Sequence, residues 1–270
     1  MSGVQVERAA RSADEDTATR VHTLEVPGRH AAALHVAGLH RPGAGADTHA
    51  APREEHVTPP LAVPGSSLLV AHDPYGRHSE TLRALRTELL LRHESVERAN
   101  ALVLLSPSGG EGRSQLAAEL ATSFAQLGHR TLLVDCDLRR PRLHALFGVA
   151  NHAGLTQALD EDEPPLLNPV KGLPSLFLLA AGGVPPNPLE LLSGGRFESL
   201  VERWRDEFQF AVFDTPPLSQ CADALAVATV VGRVLALGRA GHTRCRDMRE
   251  MLRRVATTQA QVVGAVLNHF

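Results

Sequence analysis

The sequence predicts an α/β domain of three layers, in which a mainly parallel β-sheet is covered by helices on both faces. Short apolar runs recur along the chain and alternate with stretches of helical periodicity. Each run is apolar at consecutive positions, as expected of strands that are buried on both faces. The alternation of such strands with helices is typical of parallel sheets. We expect this domain to span residues 66–270 and a flexible arm to precede it.

The predicted elements begin with a helix from Ser79, in which leucines recur at three- and four-residue steps. After the first strand, a glycine turn leads into a helix that we expect to begin near Gly112 and to end near Gly128. Two further helices are predicted at 196–207 and 243–257. The predicted strands are 101–105, 131–134, 175–179, 210–213, 234–237 and 262–267.

Residues 1–65 differ from the rest of the chain in composition. They are rich in Ala, Gly, Pro, His and mixed charge, and they show no persistent period. Such a segment buries too little apolar surface to fold alone, so we predict a mostly flexible arm. Its histidines are irregularly spaced and no acidic or Cys cluster joins them, which favours a solvated linker over a metal site. These histidines are His22, His30, His35, His40, His49 and His56.

Composition narrows the class of protein. The net charge of -3 argues against a general nucleic-acid binder, because phosphate neutralisation needs clustered positive charge. Of the 27 basic residues only Lys171 is a lysine. Cys136, Cys221 and Cys245 are too widely spaced for a disulfide framework or a zinc site. Without an apolar leader or a run of about 18 apolar residues, we expect a cytoplasmic protein with no membrane span.

The glycine turn after the first strand has the features of a phosphate-binding loop. Consecutive backbone N–H groups and the positive end of the following helix dipole face the same anion. Relative to the pattern GxxxxGK[ST], Pro107 replaces the first glycine and Arg113 replaces the lysine. Ser114 keeps the hydroxyl that can bind Mg²⁺. The candidate nucleotide-binding residues are Ser108, Gly109, Gly110, Glu111, Gly112, Arg113, Ser114 and Gln115.

Acidic side chains follow two of the predicted strands. Asp135 and Asp137 come at the end of one strand, and Asp214 comes at the end of another. Because ligands bind at the carboxyl ends of parallel strands, we expect all three carboxylates to converge on the phosphate loop. There they could hold Mg²⁺ through its waters, or orient or deprotonate a nucleophile. Any one of them alone could equally be a helix cap or a turn residue.

Further short motifs occur in order along the domain. They are Glu80-x-x-Arg83-x-x-Arg86, Asp135-Cys136-Asp137-Leu138-Arg139-Arg140-Pro141, Pro185-Pro186-Asn187-Pro188-x-Glu190-Leu191-Leu192, Asp214-Thr215-Pro216-Pro217 and Gly264-Ala265-Val266-Leu267-Asn268. With the phosphate loop they resemble the bacterial tyrosine kinases that regulate exopolysaccharide synthesis, in particular the chain-length-determinant branch. This resemblance implies a P-loop NTPase-like fold and protein-tyrosine kinase activity.

The resemblance also assigns roles by position. ATP phosphates would lie on the loop, and Ser114, Asp135 and Asp214 would surround Mg²⁺. Arg113, Asp135, Asp137 and Asp214 would be the catalytic residues, with Asp135 or Asp137 as the base for a tyrosine hydroxyl. Asn268 would lie near adenine. The helix stripe of Glu80, Arg83 and Arg86 would dock one subunit on the next in a homo-oligomer, although such stripes are more often solvated helix faces.

The resemblance implies a partner as well. A membrane chain-length-determinant protein, also called a polysaccharide co-polymerase, would supply the membrane helices and hold the kinase at the inner face of the membrane. Tyr75 is the single tyrosine in the sequence. It precedes the first helix, and we predict a packing or turn residue there rather than a phosphorylation site. No tyrosine cluster follows the last strand, so the substrate tyrosines are expected on partner proteins.

Three alternatives remain beside the kinase. Arg113 and the lack of a tyrosine cluster would also fit a catalytically weak regulator that senses nucleotide and gates the same machinery. A partitioning or division ATPase would have a lysine early in the loop, where this chain has Ser108. A dehydrogenase is disfavoured, because no GxGxxG follows a strand.

Overall fold

The computed structural model describes residues 61–91, 100–160 and 164–269 of the chain. Most of the predicted N-terminal arm, with all of its histidines, therefore lies outside the described residues. The first described contacts are nevertheless informative about where the domain starts. Ala62 is buried and pairs with Val170 in a parallel bridge, and its N–H donates to the Pro169 carbonyl at 2.8 Å. These contacts begin a few residues before the predicted domain start at residue 66.

A seven-stranded sheet forms the centre of the described domain. Its strands are β1 (Asn100–Leu105), β2 (Thr131–Asp135), β3 (Asn168–Val170), β4 (Leu173–Leu179), β5 (Phe210–Asp214), β6 (Arg233–Arg239) and β7 (Gln261–Asn268). Their order is β3-β4-β2-β5-β1-β6-β7, and every neighbouring pair is parallel except β3 with β4. The predicted strands are thus confirmed as the parallel part of the sheet. Only the short edge strand β3 was not predicted.

Helices connect the strands and cover both faces of the sheet. They are α1 (Leu69–His72), α2 (Arg77–Leu91), α3 (Arg113–Ala125), α4 (Leu143–Leu146), α5 (Leu155–Asp160), α6 (Pro188–Ser193), α7 (Gly195–Glu207), α8 (Asp223–Val231) and α9 (Cys245–Ala256). Among the residues that the structure describes, no helix combines the length and apolar composition needed to cross a bilayer.

Alternate residues of each central strand belong to different cores. In β1, Ala101, Val103 and Leu105 face a core built with α5 to α9. Leu102 and Leu104 face a second core built with α1 to α4. Burial of an apolar side chain contributes roughly 1.5–3 kcal/mol, so consecutive apolar residues stabilise both layers at once. This arrangement explains the uninterrupted apolar runs of the sequence and confirms the three-layer fold.

The strand register places the predicted acidic residues at one edge of the sheet. Asp135 at the end of β2 is the register partner of Asp214 at the end of β5. β1 lies on the other side of β5 and leads into the glycine turn. The carboxyl ends of these three neighbouring parallel strands therefore meet at the phosphate loop, as expected for a ligand site in this class of sheet.

Candidate nucleotide-binding and active site

The phosphate loop joins β1 to α3 through two glycines in the left-handed region. Gly110 has φ 77° and Gly112, which caps α3, has φ 86°. A side chain would be strained at either position, which explains why glycine is needed there. α3 begins at Arg113 and is one of the longer described helices. Its positive dipole end and free N–H groups face the loop, which favours a bound phosphate.

A cleft of ≈ 1030 Å³ opens beside this loop. The residues that line it are Gly109, Gly110, Glu111, Gly112, Arg113, Ser114, Gln115, Asp137, Arg140, Pro141, Arg142, His144, Ala145, Leu146, Pro217 and Gln220. Most of the predicted nucleotide-binding residues are thus brought together. Ser108 and Asn268 are not in this lining. Arg142 and Gln220 also line the cleft and had no predicted role, although the arginines on either side of Pro141 indicate a basic rim.

Arg113 folds into the protein instead of extending into the cleft. Its guanidinium is almost fully buried and donates to the Thr215 carbonyl and to the Ser106 hydroxyl. Its Nε also lies 3.4 Å from Asp214 Oδ1, which forms an ion pair. The guanidinium of Arg113 is therefore bound by residues at the end of β5 and by Ser106 at the start of the loop. To contact a phosphate, this side chain would have to exchange at least one of these partners.

Ser114 and Asp214 form the part of the site that best fits a magnesium ion. The Ser114 hydroxyl lies close enough to Asp214 to lower the pKa of its carboxyl, and Asp214 Oδ2 is buried without a hydrogen-bond partner. Burial raises the pKa of Asp214 to about 6, while Arg113 and Ser114 act in the opposite direction. A buried carboxylate oxygen without a partner is costly and suits a hard cation. Within the described residues, no three His, Cys, Asp or Glu side chains form a direct metal site.

The two other predicted acids have different surroundings. Asp135 is fully buried, and its carboxylate accepts the backbone N–H groups of Asp137, Arg142 and Leu143 at 3.0–3.1 Å. Burial and the charge of Asp214 raise the pKa of Asp135 to about 8. Asp137 lines the cleft, and only one of its oxygens is engaged, by the Arg140 N–H at 3.0 Å. The geometry therefore favours Asp137 over Asp135 as a group that reaches a substrate.

The side chain of Glu111 stabilises the loop from the protein interior and does not project into solvent. Its side chain is buried, accepts the Ser108 N–H at 2.8 Å and accepts the Thr243 hydroxyl. The Asn268 side-chain amide donates to the Glu111 carbonyl at 3.2 Å. The structure thus places Asn268 against the backbone of the loop, outside the open cleft. Any contact between Asn268 and adenine stays a prediction.

The connection after β6 supports the same loop. Arg239 donates to the Gly110 carbonyl at 3.1 Å, and the His242 ring lies 3.3 Å from the Gly109 carbonyl. These residues had no predicted role, because a contact between the end of β6 and a distant loop leaves no periodic signal in the sequence. The phosphate loop follows β1 and is consequently also contacted from the ends of β5, β6 and β7.

The charged stripe on α2 is divided between two environments. Arg83 pairs with Glu80 and also donates to the Pro74 carbonyl. Arg86 is buried and donates to the carbonyl and hydroxyl of Ser123 on α3, at 2.7 and 3.2 Å. Arg86 therefore joins two helices of one chain, which differs from the predicted contact between subunits. A subunit contact through Glu80 and Arg83 stays a prediction.

Comparison with known proteins places this geometry in a family. The family model CbiA, described as the CobQ/CobB/MinD/ParA nucleotide binding domain, matches residues 102–270. Tyrosine-protein kinase YwqD of Bacillus subtilis is 33% identical over 205 residues, which cover 75% of this chain and 85% of YwqD.

A longer relative and a solved structure agree with this match. Tyrosine-protein kinase etk of Escherichia coli K12 is 32% identical over 201 residues, which cover 74% of this chain and 28% of etk. The chain therefore spans little more than a quarter of etk. The solved kinase domain of Escherichia coli tyrosine kinase ETK has a TM-score of 0.71 and 28% identity, over 80% of this chain and 91% of that domain.

Proposed function

This chain belongs to the bacterial tyrosine-protein kinases, built on the CobQ/CobB/MinD/ParA nucleotide-binding domain, and we propose that it transfers the γ-phosphoryl group of ATP to tyrosine. One observation carries the proposal. A single cleft brings together a phosphate loop and the Asp137 carboxylate, and the loop residue Arg113 is ion-paired with Asp214, whose Oδ2 is buried without a hydrogen-bond partner. Phosphoryl transfer needs little more than such positioning and charge stabilisation.

The residues of the loop bind and orient the nucleotide. Backbone N–H groups at 109–114 and the amino end of α3 bind the phosphate oxygens. Ser114 and Asp214 are the residues that would hold Mg²⁺, which when bound with ATP neutralises charge on the β- and γ-phosphates. Arg113 supplies the positive charge that lysine supplies in related loops, and its fork of donors can bind two phosphate oxygens.

Asp137 accepts the proton of the acceptor hydroxyl. The tyrosine oxygen forms a bond to the γ-phosphorus as the bond from that phosphorus to the bridging oxygen breaks. ADP leaves with the bridging oxygen, and the phenolic proton goes to Asp137. Asp135 suits this role less well, because it is fully buried and three backbone N–H groups already occupy its carboxylate. It instead fixes the start of α4 beside the cleft.

We place this kinase in the control of exopolysaccharide chain length and export. The resemblance to the chain-length-determinant branch supports this placement. The kinase would phosphorylate tyrosines on partner proteins and would work with a membrane chain-length-determinant protein at the inner face of the membrane. The exposed Glu80 and the half-buried Arg83 would contribute to a homo-oligomer.

The proposal is tested by incubating the chain with its membrane partner, Mg·ATP labelled at the γ-phosphate and poly(Glu,Tyr). We expect label on tyrosine. Asp137→Asn and Asp214→Ala should each lower the rate roughly 100-fold or more, as losses of a proton acceptor or of charge stabilisation do. Asp206→Asn is the matched control, because Asp206 is exposed on α7 and outside the cleft. Equal rates for all four proteins, or no transfer by the unmodified chain, would contradict the proposal.

A second candidate function is supported by the buried position of Arg113. A loop cation that is ion-paired with Asp214 suits a protein that binds nucleotide, changes its assembly and transfers phosphate slowly or not at all. Light scattering in the nucleotide-free, ADP and ATP forms tests this regulator. An assembly state that changes with nucleotide, without phosphotransfer, would favour it. A partitioning ATPase is not proposed, because Ser108 stands where that class has lysine.

A further inference from the structure

Two arginines at one edge of the cleft have no partner for their charge. Arg140 and Arg142 line the cleft and are exposed, and neither guanidinium has a hydrogen bond or ion pair to any residue that the structure describes. The exposed Arg203, by comparison, pairs with Glu207 one turn along α7 at 3.2 Å. The two unpaired cations therefore face whatever ligand enters the cleft at this edge.

The short segment that carries these arginines is held by the acids of the site. The Arg140 N–H donates to the Asp137 carboxylate at 3.0 Å, and the Arg142 N–H donates to the Asp135 carboxylate at 3.1 Å. Pro141 lies between the two arginines, and its ring fixes φ there. The backbone of both arginines is thus fixed relative to the proposed proton acceptor, which lowers the entropy cost of binding a ligand.

The preceding arginine of the same segment has a structural role instead. Arg139 donates through Nε and Nη2 to the Asp223 carboxylate at 2.7 and 3.1 Å, and Asp223 is fully buried at the start of α8. Such a forked contact with a carboxylate is strong, and it ties the segment to α8. Arg139 does not line the cleft. The arginines of the segment therefore divide into one that anchors it and two that line the cleft.

The other charged groups of the cleft do not neutralise this edge. The Glu111 carboxylate is buried under the loop, where it accepts a backbone N–H. Arg113 is paired with Asp214. Asp137 is the carboxylate that the proposed transfer uses as proton acceptor. A peptide that enters on this side therefore meets one acid and two unpaired arginines, which favours negative charge in the peptide.

The order of the strands separates this edge from the phosphate loop. The loop follows β1, whereas Arg140 and Arg142 follow β2, and β5 lies between these two strands. Neighbouring strands are about 4.8 Å apart, so roughly 10 Å separate the ends of β1 and β2. The N–H groups of the loop and the amino end of α3 serve the phosphates of the nucleotide. The arginines on the β2 side lie beside the acid that receives the proton of the other substrate.

We propose that Arg140 and Arg142 select acceptor tyrosines that have acidic residues beside them in sequence. This inference rests on the proposed kinase function and names the class of its protein substrate, an acidic peptide segment. The tyrosine hydroxyl lies at Asp137, and carboxylates one or two residues along the peptide pair with the two guanidinium groups. Residues of an extended peptide are spaced roughly 3.3–3.6 Å apart, a distance that a long arginine side chain spans. Such pairing discriminates between substrates and orients the bound peptide.

Matched peptides test this selection. The chain and its membrane partner receive Mg·ATP and either Glu-Glu-Tyr-Glu-Glu or Gln-Gln-Tyr-Gln-Gln, and kcat/KM is measured for each peptide. We expect kcat/KM to be at least about 10-fold higher for the acidic peptide, because each of two charge-assisted contacts contributes a few-fold. The double variant Arg140→Gln/Arg142→Gln should lower this ratio to about 2 or less, through a higher KM for the acidic peptide. Its kcat/KM for the neutral peptide should stay unchanged.

Two further variants serve as controls. Arg249→Gln removes an exposed charge of α9 outside the cleft, and it should keep the ratio of the unmodified chain. Arg140→Glu/Arg142→Glu reverses the charge at the same edge, and it should prefer Lys-Lys-Tyr-Lys-Lys to the acidic peptide. A purely structural role of the arginines would not produce this reversal. The affinity of the Gln double variant for Mg·ATP, measured by calorimetry, should change less than about 2-fold, because the phosphates are bound on the β1 side.

The outcomes separate this inference from the proposed function. Transfer to both peptides with equal kcat/KM would overturn the acidic selection and leave the kinase function standing. Transfer to neither peptide by the unmodified chain would count against both proposals. If the Gln double variant binds Mg·ATP more weakly and keeps the peptide ratio, the arginines serve the nucleotide and the inference is wrong.

Discussion

Arg113 of the phosphate loop is paired with Asp214 at the end of β5, with Nε 3.4 Å from Oδ1. The same guanidinium donates to the Thr215 carbonyl and the Ser106 hydroxyl. The residue that should bind phosphate thus binds the residue that should hold magnesium. Binding of Mg·ATP by Arg113 and Asp214 therefore competes with the ion pair between these two side chains.

Substitution of Arg113 measures this competition. A lysine at 113 keeps the charge but cannot donate to several partners in a fork, so we expect Arg113→Lys to bind Mg·ATP roughly 3- to 10-fold more tightly, since the release of one internal hydrogen bond is worth about 1 kcal/mol. Arg113→Ala should bind at least about 10-fold more weakly, because a charged contact to phosphate is lost. Titration calorimetry measures both. Weaker binding by Arg113→Lys would show that the guanidinium itself is required.

Magnesium-dependent binding should depend on pH through Asp214. Burial raises the pKa of Asp214 to about 6, so below that pH the carboxyl is protonated and cannot hold Mg²⁺. We expect the affinity for Mg·ATP to rise as pH increases from about 5 to about 7 and then to level off. Calorimetry across this range, with ADP in EDTA as the control, checks the prediction. An equal pH dependence without magnesium would exclude Asp214 as the cause.

Arg86 should matter for stability within one chain. Arg86→Ala removes a buried guanidinium that joins α2 to the Ser123 carbonyl of α3, and we expect it to lower the free energy of unfolding by about 2 kcal/mol. Arg83→Ala is the matched control on the same helix. Its ion pair is solvent-exposed on the Glu80 side and should cost less than about 1 kcal/mol. Urea denaturation compares them, and equal losses would contradict the division of the stripe.

His78 should make stability depend on pH. Its hydrogen bond to Glu119 raises the pKa of His78, although burial acts in the opposite direction. A group whose folded pKa is raised contributes stability that is complete below its unfolded pKa, about 6.5, and is lost as pH rises through the folded value. We therefore expect His78→Gln to lower the melting temperature more at pH 5.5 than at pH about 9. A difference that is constant with pH would contradict this assignment.

Substitution of Asn268 can show whether its side chain supports the loop or binds adenine. If its amide only braces the Glu111 carbonyl, Asn268→Ala should weaken ATP and GTP alike, by roughly 5-fold for one lost hydrogen bond. If it binds adenine, ATP should weaken and GTP should not. We expect the first result, because the side chain is buried against the loop. Competitive binding with both nucleotides gives the answer.

The sequence was sufficient for the parallel part of the sheet because each of its strands contains a run of mainly apolar residues. It was also sufficient for the convergence of Asp135 and Asp214, since both end neighbouring parallel strands. β3 could not be predicted, because three residues that include Pro169 carry no period.

The orientation of long side chains could not be predicted from the sequence. The resemblance gave Arg86 the same docking role as Glu80 and Arg83, whereas packing turns its guanidinium toward α3. In the same way, motif position directs Arg113 toward a ligand, but the Thr215 carbonyl and Asp214 lie close enough to hold it. Tyr75 lies in the turn between α1 and α2 and is 89% exposed, so the predicted turn is confirmed and the predicted packing is wrong.

The pairing of Ala62 with β3 has a consequence for handling the protein. β3 is one of the two edge strands of the sheet, and the chain around Ala62 occupies its free edge, where the Lys171 N–H donates to the Ala62 carbonyl at 2.7 Å. An uncovered edge is a template for strands of other molecules. Trimming the protein at residue 66 would remove this cover. Such a shortened protein would be prone to aggregate from solution, even with its phosphate loop and both cores intact.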